Sequence, residues 1–133
     1  MSSEANLSVL LKSMQPILRE GDYVFCTVEQ FDHAQDLKPI GLFYEPEGLT
    51  LILPRQQADA AGLPYTSVFC MITLSVHSSL EAVGFLAAIA SQLAANGISV
   101  NPVSAYYHDH LFIPAARANQ AMQLLQELSR TFA

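Results

Sequence analysis

The residues of this chain best suited to chemistry fall in two short stretches. The first is Tyr106-Tyr107-His108-Asp109-His110, the most unusual polar cluster in the sequence. Alternate side chains of a strand share a face, so His108 and His110 would project together. With His77 they would supply the three imidazoles of a zinc site, which makes a metal-dependent enzyme using His77, His108 and His110 one reading. Asp109 is ordinary turn chemistry, however, and a turn there would break the alternation. Hydrogen bonds from Tyr106, His108 and His110 to a ligand or to a partner subunit therefore suit the cluster better, and no metal is expected. The second stretch, Ser78-Ser79-Leu80-Glu81, has the spacing of a capping box. In such a box the Ser78 hydroxyl accepts a helix amide while Glu81 reaches back. Other routes to catalysis are poorly supplied. No glycine-flanked serine forms a nucleophile elbow. Cys26 and Cys70 each lie inside an apolar run, where burial makes a thiol inert, and no CxxC or Cys/His metal spacing exists. The expectation is a protein without a cofactor that is not an enzyme.

Composition narrows the partners. Of 133 residues, 51% are apolar and 14% charged, ample for a buried core and too apolar for disorder. Twelve acidic against six basic residues give a formal net charge of −6. Lys12, Arg19, Lys38, Arg55, Arg117 and Arg130 are scattered, whereas phosphate-backbone binding needs them clustered, so neither nucleic acid nor an anionic membrane surface is an expected partner. The most apolar stretch, Val83 to Ile98, is interrupted by Ser91, Gln92, Asn96 and Gly97, short of the ~20 residues of a membrane span. Met1 to Ser8 carries Glu4 where a signal peptide wants basic residues, and the expected compartment is the cytoplasm.

Two echoes run through the elements that must position these residues. Val24-Phe25-Cys26 returns as Val68-Phe69-Cys70, 44 residues on (68 minus 24). Leu51-Ile52-Leu53-Pro54 returns as Leu111-Phe112-Ile113-Pro114, 60 residues on (111 minus 51). The offsets differ by 16 residues (60 minus 44), about four helical turns. A segment of about that length, Leu80 to Asn96, reads as a helix in the later copy. The earlier copy has only the polar connection from Glu29 to Lys38, so the first copy, 1–66, reads as rudimentary and the second, 67–133, as full. Within the first, 5–14 reads as a short helix, Tyr23 to Val28 as a strand, Ile40 to Tyr44 and Leu49 to Leu53 as a hairpin, and 55–61 as a helix ended by Gly62. Within the second, Val68 to Val76 is a strand and the helix that follows carries Leu86, Ala90 and Leu93 on one face and exits at Gly97. Ile98 to Asn101 and Ala105 to Tyr107 read as one strand bent at Pro102, and Leu111 to Ile113 as another. The last helix, 115–130, lines up Ala118, Ala121, Met122, Leu125, Leu128 and Phe132. Strand, helix, strand, strand, helix is the start of an α+β, ferredoxin-like antiparallel sheet with helices on one face, lacking a visible closing strand.

From Gly84-Phe85-Leu86-Ala87 through Ile89-Ala90 and Leu93-Ala94 to Gly97-Ile98-Ser99-Val100, the sequence resembles the ACT domain, the ferredoxin-like module that senses amino acids. The longer run, through Ala105-Tyr106-Tyr107-His108-Asp109-His110 to Leu111-Phe112-Ile113-Pro114, is similar to small bacterial tandem ACT-like proteins in which a rudimentary half precedes a full one. Many members have Pro before the helix glycine, where Val83 stands here, and Asn after Gly-Ile, where Ser99 stands. The resemblance implies a regulatory module that binds a small molecule, an amino acid foremost, between two modules of one chain or of a homodimer. It implies contacts from His77, Ser78, Ser79, Leu80 and Gly84 in the loop before the helix, and from Ile98, Ser99, Val100 and Asn101 on the next strand. Free amides and the dipole at that helix start favour a carboxylate. Output would pass through an unknown protein partner. The alternative function is a ligand-free assembly module, its crevice near Ser78 to Gly84 filled by side chains.

Overall fold

A computed structural model describes residues 4–30 and 34–131. The placement of Phe132 on the last helix and the middle of the Glu29–Lys38 connection lie outside the described residues. The chain divides into two compact units: the chain up to Glu20 together with Cys70 onward, and Gly21–Phe69.

In the second of these, β2 (Tyr23–Val28) pairs antiparallel with β4 (Gly48–Pro54), and β4 with β3 (Gly41–Glu45). Alternation sends Val24, Cys26 and Val28 of β2 and Leu49, Leu51 and Leu53 of β4 to one face, where Ala58 of α2 (Arg55–Ala61) closes the core. Pro54 ends β4 and stands at the helix cap rather than inside the first turn; Gly62, at φ +68°, ends α2. No α-helix joins β2 to β3 among the described residues, as the mismatch of the two repeat offsets implies.

The other unit holds α1 (Leu7–Ser13), β1 (Pro16–Leu18), β5 (Phe69–Leu74), α3 (Phe85–Ala94), β6 (Asn101–Ser104), β7 (Asp109–Pro114) and α4 (Ala118–Thr131), which follows a 3-10 turn at Ala115–Arg117. Its strands lie in the order β1-β5-β7-β6. The closing strand of the ferredoxin-like pattern is thus β1, supplied by the segment before the second copy rather than after α4. Pro16, Ile17 and Leu18 pair antiparallel with Leu74, Thr73 and Ile72. The end of α4 lies beside this strand's start: the Ser129 hydroxyl donates to the Met14 carbonyl at 3.0 Å. Leu10, Leu11 and Met14 join Ile72, Leu74, Ile89, Leu93, Leu111 and Leu125 in one core, each at most 1% exposed.

Three local expectations are corrected. The helix expected from Leu80 begins at Phe85, and it buries Phe85, Ile89 and Leu93 rather than the set Leu86, Ala90 and Leu93. The strand expected to bend at Pro102 is instead β6, which contains Pro102; an edge strand tolerates the missing N–H. Tyr106 and Tyr107 lie in the β6–β7 turn, closed by the Ala105 amide on the His108 carbonyl at 3.0 Å.

Candidate functional site

Gly84 decides where α3 begins. Its φ of +90° is left-handed, a conformation that ends the preceding turn and costs a side-chain-bearing residue roughly 1–2 kcal/mol. No side chain caps α3, so the first-turn amides, which have no acceptor within a helix, stay open. The capping box expected at Ser78 and Glu81 is therefore absent, for an identifiable reason. Ser78 is held in a bridge with Glu4, and its hydroxyl donates to Asp109 Oδ2 at 3.0 Å. Ser79 is fixed by its amide on the Glu4 carbonyl, 2.8 Å, and its hydroxyl accepts the Glu81 amide at 3.1 Å.

Asp109, expected in a turn, is the first residue of β7 and only 5% exposed. Asp109 and the uncapped first turn of α3 line one crevice of about 160 Å³, together with Ser78, Ser79, Leu80, Gly84 and Ser104. A cavity of ~150 Å³ holds a molecule the size of benzene. The crevice thus brings a buried acidic residue and the uncapped start of α3 into one small space, the size of a small zwitterion.

The structure brings together four of the residues expected to touch a ligand, Ser78, Ser79, Leu80 and Gly84. Ile98 is 2% exposed in the core, and Ser99, Val100 and Asn101 follow the far end of α3, which at ten residues is about 15 Å long. Ser104 and Asp109 stand at the crevice instead. His77 packs tilted against Tyr107, 5.4 Å between ring centroids, with Tyr106 6.4 Å away, and its buried Nδ1 has no hydrogen-bond partner among the described residues. His108 and His110 lie 6.4 Å apart, ring centre to ring centre. The His110 Nδ1 is 3.0 Å from the Thr73 hydroxyl, and burial first, then His108 and Arg19, push its pKa below the ordinary 6.5. Among the described residues no group of three metal-binding side chains converges, so His77 does not complete the zinc triad that the sequence suggested. Burial raises the Cys26 thiol, with Asp59 adding to it. No helix among the described residues is long and apolar enough to cross a membrane.

Two family profiles match the chain, both described as ACT domain, over residues 2–79 and 66–127. No curated protein matches it in sequence. Among solved structures, a Vibrio cholerae protein of unknown function, described as a possible transport protein, is 51% identical over 92% of this chain and 95% of its own, with a TM-score of 0.85. A protein from Agrobacterium tumefaciens is 15% identical over 87% of this chain and 89% of its own, TM-score 0.67. The regulatory subunit of aspartate kinase from Thermus flavus is 9% identical over 86% of this chain and 96% of its own, TM-score 0.66. At those identities the last two are likenesses of fold.

Proposed function

The chain belongs to the ACT-domain family, a non-catalytic regulatory family of small-molecule-binding modules, and we propose that its ligand is a small amino acid held in the Asp109 crevice. The observation that carries the reading is one buried acidic residue and one uncapped helix start lining the same crevice. An α-amino acid carries a cation and an anion on adjacent atoms. Its ammonium suits Asp109, held in place by Ser78, and its carboxylate suits the first amides of α3. Ser79, Leu80 and Gly84 shape the wall between them. The likeness of fold to an aspartate kinase regulatory subunit supports a regulatory role. In this reading the protein is a cytoplasmic homodimer, Ser99 and Asn101 reach the crevice only from a second copy, and an unknown protein partner receives the signal. The repeat boundary at 66/67 marks the duplication.

The test is thermal unfolding and calorimetric titration with each of the twenty amino acids. One or a few should raise the unfolding temperature by several degrees, since a ligand at 100 times its Kd stabilises by ~2.7 kcal/mol. Asp109→Asn keeps the shape but loses the charge, and should weaken binding about tenfold or more. Silence from all twenty at millimolar concentration would remove the proposal.

One observation favours assembly as a second reading. On β3, an outer strand, Leu42, Phe43 and Tyr44 are exposed by 42%, 71% and 69%. An apolar edge strand left unpaired invites another strand, and a second copy offers an identical one. Light scattering should find a dimer that Phe43→Glu converts to monomer; a monomeric parent protein would end this reading.

A further inference from the structure

The face of the β1-β5-β7-β6 sheet that carries no helices gathers an unusual set of donors. Cys70, Ile72 and Leu74 of β5 and Leu111 and Ile113 of β7 point into the helix-covered core. Alternation therefore puts Thr73 and His110 on the other face. Ile17 is the register partner of Thr73, so Arg19, two residues on and tied by its amide to the Met71 carbonyl, shares that face. The Arg19 Nε donates to the Thr73 hydroxyl at 3.0 Å, and that hydroxyl lies 3.0 Å from His110 Nδ1.

This chain fixes a tautomer. Thr73 is 1% exposed and has one hydrogen to give. Arginine only donates, and among the described residues His110 Nδ1 is the acceptor within reach of the hydroxyl hydrogen; with that bond made, the proton of neutral His110 is on Nε2, directed away from Thr73. His108 stands beside it, the two rings edge to face. The Arg19 side chain is anchored through Nε, and no carboxylate forms an ion pair with it among the described residues. Asp109, between the two histidines, is turned to Ser78 on the crevice side. Burial first, then His108 and Arg19, disfavour the charged form of His110, with only the averted Asp109 in opposition. The Arg19 guanidinium and the His108 and His110 rings thus present N–H donors on one face, in a chain of net charge −6, with no carboxylate among the described residues paired to Arg19.

We propose that Arg19, His108 and His110, arranged around Thr73 on the helix-free face, form a binding site for a small oxyanion, a phosphate or carboxylate group. The Arg19 terminal nitrogens, His110 Nε2–H and the His108 ring are the donors, and Thr73 holds the first two in place. The site is independent of the amino-acid crevice, because residue 109 faces one side and residues 108 and 110 the other.

The experiment follows the imidazole resonances of the intact protein by NMR at pH 6.5 while inorganic phosphate or acetate is added at constant ionic strength, with sodium chloride as control. The expected result is a saturable shift of the His108 and His110 signals with at least one of the two anions, and an upward move of the His110 titration midpoint. Which anion saturates first separates a phosphate group from a carboxylate. Arg19→Gln should weaken the response about tenfold. His108→Gln, at a half-buried position, provides a second variant should the first disturb the fold. Shifts that only track the chloride control, or a saturable response unchanged in both variants, would overturn the proposal.

Discussion

At the residue scale, Asp109 and His110 show how neighbours on one strand serve opposite faces. Asp109 is legible in sequence only as a turn former, because its hydrogen-bond partner in the fold is Ser78, 31 positions away and invisible to any local pattern. The grouping of His108 with His110 was legible from their spacing; the role of Thr73 and Arg19 was not, since their link spans 54 positions. The lowered pKa of His110 has a thermodynamic consequence. In the unfolded chain the imidazole takes up a proton near pH 6.5, and in the folded chain only at lower pH. Protonation between those two values favours unfolding. The contribution of neutral His110 is therefore complete above about pH 6.5 and is lost as pH falls through the folded-state value. Urea midpoints measured from pH 7.5 to 5 in phosphate-free buffer should decline in that window, and His110→Gln should flatten part of the decline. A variant curve parallel to the parent's would show that His110 is not responsible.

At the element scale, most strands and both C-terminal helices of the copies were readable from periodicity and from glycine at their ends. The failure at the start of α3 is instructive. Ser78-Ser79-Leu80-Glu81 satisfies every local rule for a cap, yet Glu4 and Asp109 claim the groups a cap would use, and Gly84 resets the chain direction at φ +90°. The closing strand escaped the sequence pattern for a related reason: β1 is three residues long and precedes the copy it completes, so neither length nor order marks it. Gly84 is accordingly a backbone requirement rather than a matter of space, since a Cβ there would meet only Leu7 Cδ2, at 3.5 Å. Gly84→Ala should lower stability by about 1–2 kcal/mol, a loss set by φ, and should weaken any ligand held by the α3 amides. Equal stability of the variant, measured by urea unfolding, would refute that account of the turn.

For the whole molecule, the repeat arithmetic and the packing answer different questions. The echoes fall on equivalent strands: β2 and the entry to β5, then the ends of β4 and β7. Their unequal offsets correspond to a segment that holds α3 in the second copy and no α-helix among the described residues of the first. Duplication in sequence nevertheless does not delimit what folds together. Residues up to Glu20 group with the second copy, because Leu10, Leu11 and Met14 are almost wholly buried in its core and β1 covers an edge of β5. Removing three such side chains forfeits roughly 2–5 kcal/mol apiece, comparable in sum to the whole stability of a small domain. A fragment of residues 67–133 should therefore lack a cooperative unfolding transition and bind hydrophobic dye, as a loosely packed state does. Adding a peptide of residues 1–20 should restore the transition, since it returns both the missing core side chains and the fourth strand. Cooperative unfolding of the fragment by itself would mean that the N-terminal segment only decorates a core complete without it.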